Sequence, residues 1–255
     1  MFSGGIGSWA AAKRVAEVHG LDNLTLLFTD TNIEDEDLYR FIHEAANNVG
    51  VPLTSIGDGR DPWQVFFDER MMGGSRPDPC SRILKRELAD RWMEKHFDPT
   101  ETLVYVGIDW SEVHRYERLR ERKAKQGWTY LAPMVDAPYL LKPDMLKWLE
   151  SEGIVPPRLY GMGFSHNNCG GFCVKGGHGH FALLLREMPE RYALHEAMEE
   201  EFRQFVGKDV SILRDRRGGK TAPITLRKLR ERIQAGCQVD LFDVGGCGCF
   251  LDESD

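Results

Sequence analysis

The chain has 255 residues, a net charge of −7 and 42% hydrophobic content, enough for one sizeable core with or without an appendage. That balance excludes a globally basic nucleic-acid coat, and the sequence contains no run of about 18 apolar residues that would make a transmembrane helix. No charged-then-apolar leader precedes a cleavage site, and six cysteines in a chain of this size read as thiols, metal ligands or catalytic groups, so a cytoplasmic protein with no membrane partner is expected.

The chain opens on "SGGIGS" (3–8), a glycine turn that runs straight into the helical pattern of residues 8–19. Glycines before a helix let a backbone approach a phosphate, and the helix N-terminus favours the anion. An ordinary glycine turn explains these residues equally well. Apolar, partly β-branched segments at 24–29, 51–56, 102–108 and 130–134 read as strands. Helical patterns near 34–48, 80–95 and 142–151, and a basic one at 115–125, fill the gaps. This alternation predicts a parallel sheet covered by helices on both faces. Beyond residue 178 the patterns are helical, with no strand expected, and the chain closes on "VGGCGCFLDESD".

Four segments in order carry a resemblance. "SGGIGS" resembles the PP-loop of adenine nucleotide α-hydrolases. "LLFTDTNIEDEDLYRFI", "GIDWSEVHR" and "PPRLYGMGFSHNNCGGFC" resemble successive stretches of the phosphoadenylyl-sulfate (PAPS) reductases. The resemblance spans roughly residues 1–175. It implies a Rossmann-like α/β fold with a five-stranded parallel sheet. On this reading residues 1–165 form the nucleotide-binding domain, and 166–255 a helical region with cysteine motifs. A central parallel strand is normally about five residues long, whereas only Met1 and Phe2 precede this turn. A stump of a first strand, or a natural start further upstream, is therefore expected.

The resemblance also implies roles. Ser3, Gly4, Gly5, Gly7 and Ser8 would hold the phosphates of ATP or a PAPS-like nucleotide, and Asp30 and Thr31 would meet the adenosine. Gly107 and Glu112 would complete the nucleotide site, and Arg115, helped by Lys85, would stabilise developing charge. Two departures stand out. Gly7 replaces the aspartate that helps pyrophosphatases hold Mg²⁺, so any magnesium lacks that carboxylate. Asp109 stands where the reductases place an arginine, which weakens the case for an extra sulfate or 3′-phosphate.

Cys80, Cys169 and Cys173 stand at family cysteine positions, and Cys249 or Cys247 could complete a four-thiolate site for a 4Fe–4S cluster or zinc. Buried apolar thiols are the alternative. Cys247 also resembles the centre of the reductases' C-terminal nucleophile stretch, although its glutamate and histidine are replaced by Gly246 and Phe250. Cys237 reads as incidental. His178 and His180 could enter a zinc site or simply begin a helix. "LRDRRGGKTAP" (213–223) could clamp phosphates or be a solvated turn, and Trp63, Trp92, Trp128 and Trp148 read as core or groove walls.

Three functions follow from the resemblance. The first is an ATP α-hydrolase of the adenylating type, acting on tRNA, DNA or another acceptor and coupled to sulfur chemistry. The second is a thiol-dependent PAPS or adenylyl-sulfate reductase. The third is a non-catalytic nucleotide-binding accessory of a mobile-element or CRISPR-type defence system. A homodimer is among the expected assemblies.

Overall fold

The computed structural model of the chain describes residues 1–74, 78–216, 221–237, 243 and 245. Helix α1 (Ile6–His19) leaves the glycine turn and buries Trp9, Ala10, Ala11, Ala12 and Val15. Alanine is the strongest helix former and its small side chain lets neighbouring helices approach. Strand β1 (Leu26–Asp30) follows, then α2 (Glu36–Val49), whose N-cap Asp35 accepts the Asp37 N–H and whose end is a left-handed Gly50. Strand β2 (Leu53–Gly57) returns parallel to β1, with Leu26 opposite Leu53.

Helix α3 (Pro62–Glu69) starts from a capping box between Asp61 and Gln64. The next helical run is composite: α4 (Pro79–Ser81), a π-helical stretch (Arg82–Glu87), then α5 (Leu88–His96). Strand β3 (Leu103–Tyr105) pairs in parallel with β4 (Thr129–Leu131) across α6 (Val113–Ala124). Helices α7 (Lys142–Ser151) and α8 (Arg158–Gly161) complete this half.

Helices therefore cover both sides of the strands. Leu26 and Phe28 of β1 pack with residues of α1, α2 and α7, while Leu27 packs with Ala89, Met93, Tyr116 and Leu119 on the opposite face. Successive side chains of a strand point to opposite faces, so a strand buried on both must be apolar throughout, as "LLF" is.

The fold is mixed α/β, as expected. The described strands form two-stranded sheets, β1–β2 and β3–β4 among them, rather than one continuous five-stranded ladder. Residues 1 and 2 lie between these two pairs. The Phe2 N–H donates to Leu27 O at 2.7 Å, and the Met1 ammonium donates to Tyr105 O at 2.8 Å.

The helical reading beyond residue 178 needs one correction. Helices α9 (His178–Glu187), α10 (Pro189–Val206) and α11 (Leu226–Gln234) are present, but an antiparallel pair, β5 (Leu213–Asp215) and β6 (Ala222–Ile224), lies before α11. Three-residue strands are too short to display an alternation in the sequence. The basic segment 213–223 therefore joins two strands rather than two helices, and its Arg217 and Lys220 lie outside the described residues.

A further core gathers Trp63 and Phe66 of α3, Leu159, Phe172, and residues of α9, α10 and α11. Trp63 and Trp128 are buried and Trp92 and Trp148 partly so, matching their expected place in cores. No helix among the described residues is long and apolar enough to cross a membrane.

Candidate functional site

The glycine turn is built by tertiary contacts as much as by its own residues. Gly4 is left-handed, with φ +78°, and a side chain there would press on Leu38 at 3.0 Å. Its carbonyl accepts the Asn167 side-chain amide at 3.2 Å. Gly5 has ordinary extended geometry and is the N-cap of α1; the nearest atoms to a Cβ there would be Ser3 Oγ and Tyr160 Oη, at 3.7 Å. Ser8 is buried, and its hydroxyl donates to Gly5 O at 2.7 Å. The first helical N–H, of Ile6, donates to Tyr160 Oη at 3.1 Å, so part of the helix's exposed donor set already has a partner.

Gly7 and Gly107 explain each other. A Cβ on Gly7 would lie 2.5 Å from Gly107 O, and one on Gly107 would collide with the backbone of Gly7 and Ser8. The loop leaving β3 thus packs directly on the start of α1. The aspartate absent at position 7 is replaced by a backbone approach with no room for it. Asp109 turns inward on its own loop, accepting the Ser111 N–H at 2.9 Å and hydroxyl at 2.6 Å. Glu112 and Arg115 pair with each other at the start of α6.

Asp30 and Thr31 also have protein partners. Asp30 Oδ1 accepts from Tyr39 Oη at 2.9 Å and the Asn32 N–H at 2.9 Å. Thr31 donates to Glu34 Oε1 at 2.8 Å. Glu34 is 6% exposed, and its other oxygen accepts the Cys169 N–H. Lys85 Nζ lies 3.8 Å from Glu34 Oε1 and 3.6 Å from Cys169 Sγ. The π-helical stretch carries Lys85 and Arg86, and both are buried. Such stretches recur at functional sites because they re-aim side chains that a regular helix would space differently.

Cys80, Cys169 and Cys173 line one small cavity, of about 30 Å³, together with Thr31, Lys85 and Lys175. Beside it, Asp78 takes both Arg86 nitrogens at 3.1 Å and Lys175 Nζ at 3.3 Å. Cys169 is left-handed at φ +55°, unusual for a residue with a side chain, and Gly170 and Gly171 continue at +56° and +80°. Glycine is required at 170, where a Cβ would meet Ile33 O at 2.7 Å and the Arg191 guanidinium.

The thiol chemistry suits a soft metal or cluster. Among the described residues, no three His, Cys, Asp or Glu side chains are grouped closely enough to hold a metal ion alone. Cys247 and Cys249 lie outside the described residues. The last described residues, however, reach this region. Gly245 bridges to Gly176, and Asp243 caps the start of α9 by accepting the Gly179 N–H at 2.8 Å and the His178 N–H at 3.2 Å. Cys237 is exposed. His178 opens α9, as its helix-start reading expected, and His180 is buried with Nε2 2.8 Å from Gly171 O.

Sequence reasoning missed several members of the site. The segment Ser165–Cys169 ties the glycine turn to the cysteine cavity. Ser165 O accepts from Lys142 Nζ at 2.5 Å, Asn167 holds Gly4, and Cys169 meets Glu34 and Lys85. Lys142 Nζ also lies 3.8 Å above the Tyr160 ring, and burial lowers its pKa to about 8. A polar run "SHNN" directly before "CGGFC" was the available signal.

Comparison with protein-family models and with curated proteins finds no match for the chain.

Proposed function

We propose that the chain is a PP-loop protein resembling the PAPS reductases, binding ATP or a related adenine nucleotide at the glycine turn and cleaving it at the α-phosphorus. The observation that carries the reading is the linkage of the two sites the sequence points to. Asn167 holds Gly4 of the turn, and two residues later Cys169 lines the cavity shared with Cys80 and Cys173. A sulfur-handling enzyme that activates an acceptor through adenylation needs those two sites side by side.

The finer fold belongs to the same proposal. Residues 1 and 2 take the place of a central strand, giving the order β2, β1, residues 1–2, β3, β4. That is the order of five of the six strands of a Rossmann sheet, where ligands bind at the carboxyl ends of the strands and at helix N-termini. Gly4 and Gly5 then shape the phosphate site, Thr31 and Asp30 its rim, and Arg115 and Lys85 supply positive charge against the negative charge that develops on the phosphates. Cys80, Cys169 and Cys173, with Cys247 or Cys249, would hold a 4Fe–4S cluster or zinc. Such a centre supplies thiolate-bound sulfur or redox chemistry when bound.

Gly5→Val tests the phosphate site. A Cβ at Gly5 meets nothing closer than 3.7 Å, so the fold should survive while the branched side chain obstructs the approach of a phosphate. Calorimetry should find ATP binding weakened by about 2–4 kcal/mol. Unchanged ATP affinity in the folded variant rejects the assignment. The reductase reading differs in its products: sulfite released from a sulfonucleotide favours it over adenylation.

A further inference from the structure

A cavity of about 490 Å³ opens beside the second half of α1 and belongs to neither of the sites above. Arg14, the first residue of that helix to line it, lies about 14 Å along the axis from Gly5 at 1.5 Å per residue. The volume falls within the roughly 300–1,000 Å³ of small-molecule sites. Its walls are fixed by bonds of their own. The Arg14 guanidinium donates to Pro133 O at 2.8 Å, to Asp136 O at 3.1 Å and to Pro138 O, which holds the 133–138 loop as one wall. Trp148 forms another and packs on Trp9, with ring centroids 4.8 Å apart. Tyr105 and His19 form a third, with Oη and Nε2 hydrogen-bonded at 2.9 Å. Val18, which also lines the cavity, is 76% exposed, so the space reaches the surface.

We propose that this cavity binds an uncharged, flat heteroaromatic ring with hydrogen-bonding groups along one edge, the chemistry of a nucleobase. The Tyr105 and Trp148 rings offer π faces, and Pro133 and Pro138 add apolar contact. The His19–Tyr105 pair reads the edge. If the phenol donates to Nε2, its oxygen still accepts and the other ring nitrogen donates; if Nε2 donates, the phenol donates onward and the other nitrogen accepts. Either way the pair keeps one donor and one acceptor. Arg14 and Glu17 line the cavity one helical turn apart with opposite charges, so an ion of either sign gains one neighbour and is repelled by the other. A neutral ring pays no such cost. A free nucleoside and an unpaired base on a strand share this chemistry. The proposal does not depend on nucleotide binding at the glycine turn.

The test titrates the full chain with uridine, guanosine and a short oligouridine, following the Trp148 indole N–H by ¹H–¹⁵N NMR and affinity by calorimetry. At least one nucleoside should shift that resonance. Tyr105→Phe keeps the ring and removes the hydroxyl, so affinity should fall about three- to tenfold. Trp148→Leu keeps apolar contact with Trp9 and removes the stacking face, so affinity should fall about tenfold or more, with thermal melts confirming that each variant is folded. Oligouridine binding more than about tenfold tighter than uridine identifies a base on a strand as the occupant; equal affinity identifies a free nucleoside. Gly5→Val should bind the nucleosides as wild type does. The proposal is overturned if neither nucleoside nor oligouridine moves the Trp148 resonance, if folded Tyr105→Phe binds as tightly as wild type, or if Gly5→Val abolishes the binding, which would place the base at the glycine turn instead.

Discussion

Removing the carboxylate of Glu34 should destabilise the protein more than removing the carboxylate and its cation together. Glu34 is 6% exposed and Lys85 equally so. The carboxylate accepts from Thr31 Oγ1 at 2.8 Å and from the Cys169 N–H, and Lys85 Nζ stands 3.8 Å away. Hydrogen bonds to a charged group contribute about 1.5–3 kcal/mol each, and breaking one side of a buried ion pair costs about 3–5 kcal/mol. Glu34→Gln keeps the shape but leaves the Lys85 charge without this counter-ion and presents an NH₂ group where an acceptor is needed. The expected loss is about 3–5 kcal/mol, a large part of the 5–15 kcal/mol that typically holds a domain together. With a urea m-value of about 3 kcal/mol/M, the unfolding midpoint should move down by about 1–1.7 M. In Glu34→Gln/Lys85→Met neither charge remains buried, and the loss should shrink by at least about 1 kcal/mol. Urea denaturation of the wild type, both single variants and the double variant gives the coupling directly. A Glu34→Gln loss under about 1 kcal/mol, or strictly additive single variants, would refute the argument that this pair is a coupled unit under Cys169.

Other outcomes follow from the same geometry. Gly107→Ala forces a Cβ into the backbone of Gly7 and Ser8; thermal melts should show a loss of about 1–3 kcal/mol, whereas Gly59→Ala, with nothing within 4 Å though at φ +94°, should cost only about 1 kcal/mol of backbone strain. Anaerobic purification with metal analysis should find iron or zinc lowered in Cys80→Ser and unchanged in Cys237→Ser, since Cys80 lines the cavity and Cys237 is exposed; equal metal content in the two variants counts against the thiol centre. His195 is 1% exposed, stacks on Phe172 at 3.7 Å and accepts the Trp63 indole N–H; burial lowers its pKa from 6.5 to about 3. The unfolded chain then binds a proton that the folded one refuses, so this contribution is present above pH 6.5 and is lost as pH falls from about 6.5 toward 3. His195→Gln should reduce the acid slope of stability over that window, measured by denaturation at stepped pH, and an unaltered slope contradicts a neutral buried imidazole.

Most of the alternation of strands and helices up to residue 151 was legible from apolar segments and helical periods, but the eight-residue helix α3 was not expected. β1 shows why a strand is readable: both its faces are covered, so "LLF" had to be apolar throughout. The gathering of Cys80, Cys169 and Cys173 on one cavity was legible only through the resemblance, since 89 residues of chain separate the first two. The partners that complete the site were not. Glu34, Lys142 and Tyr160 carry no local signature, because each acts through a contact made across the fold. Gly7 looked like a missing carboxylate; its reason lies 100 residues away, in the backbone of Gly107. The β5–β6 pair escaped because each three-residue strand has one buried side chain, Leu213 and Ile224, which face each other as one register pair and present no period to read.

The most direct measurement of the central claim is product analysis by ³¹P NMR after incubating the metal-replete chain with ATP and, separately, with PAPS. Bond cleavage at the α-phosphorus of ATP should yield AMP and pyrophosphate, and Gly5→Val should abolish it while remaining folded. ADP and phosphate as the only products, or AMP and pyrophosphate formed equally well by Gly5→Val, would contradict a phosphate site at the glycine turn that directs cleavage to the α-phosphorus.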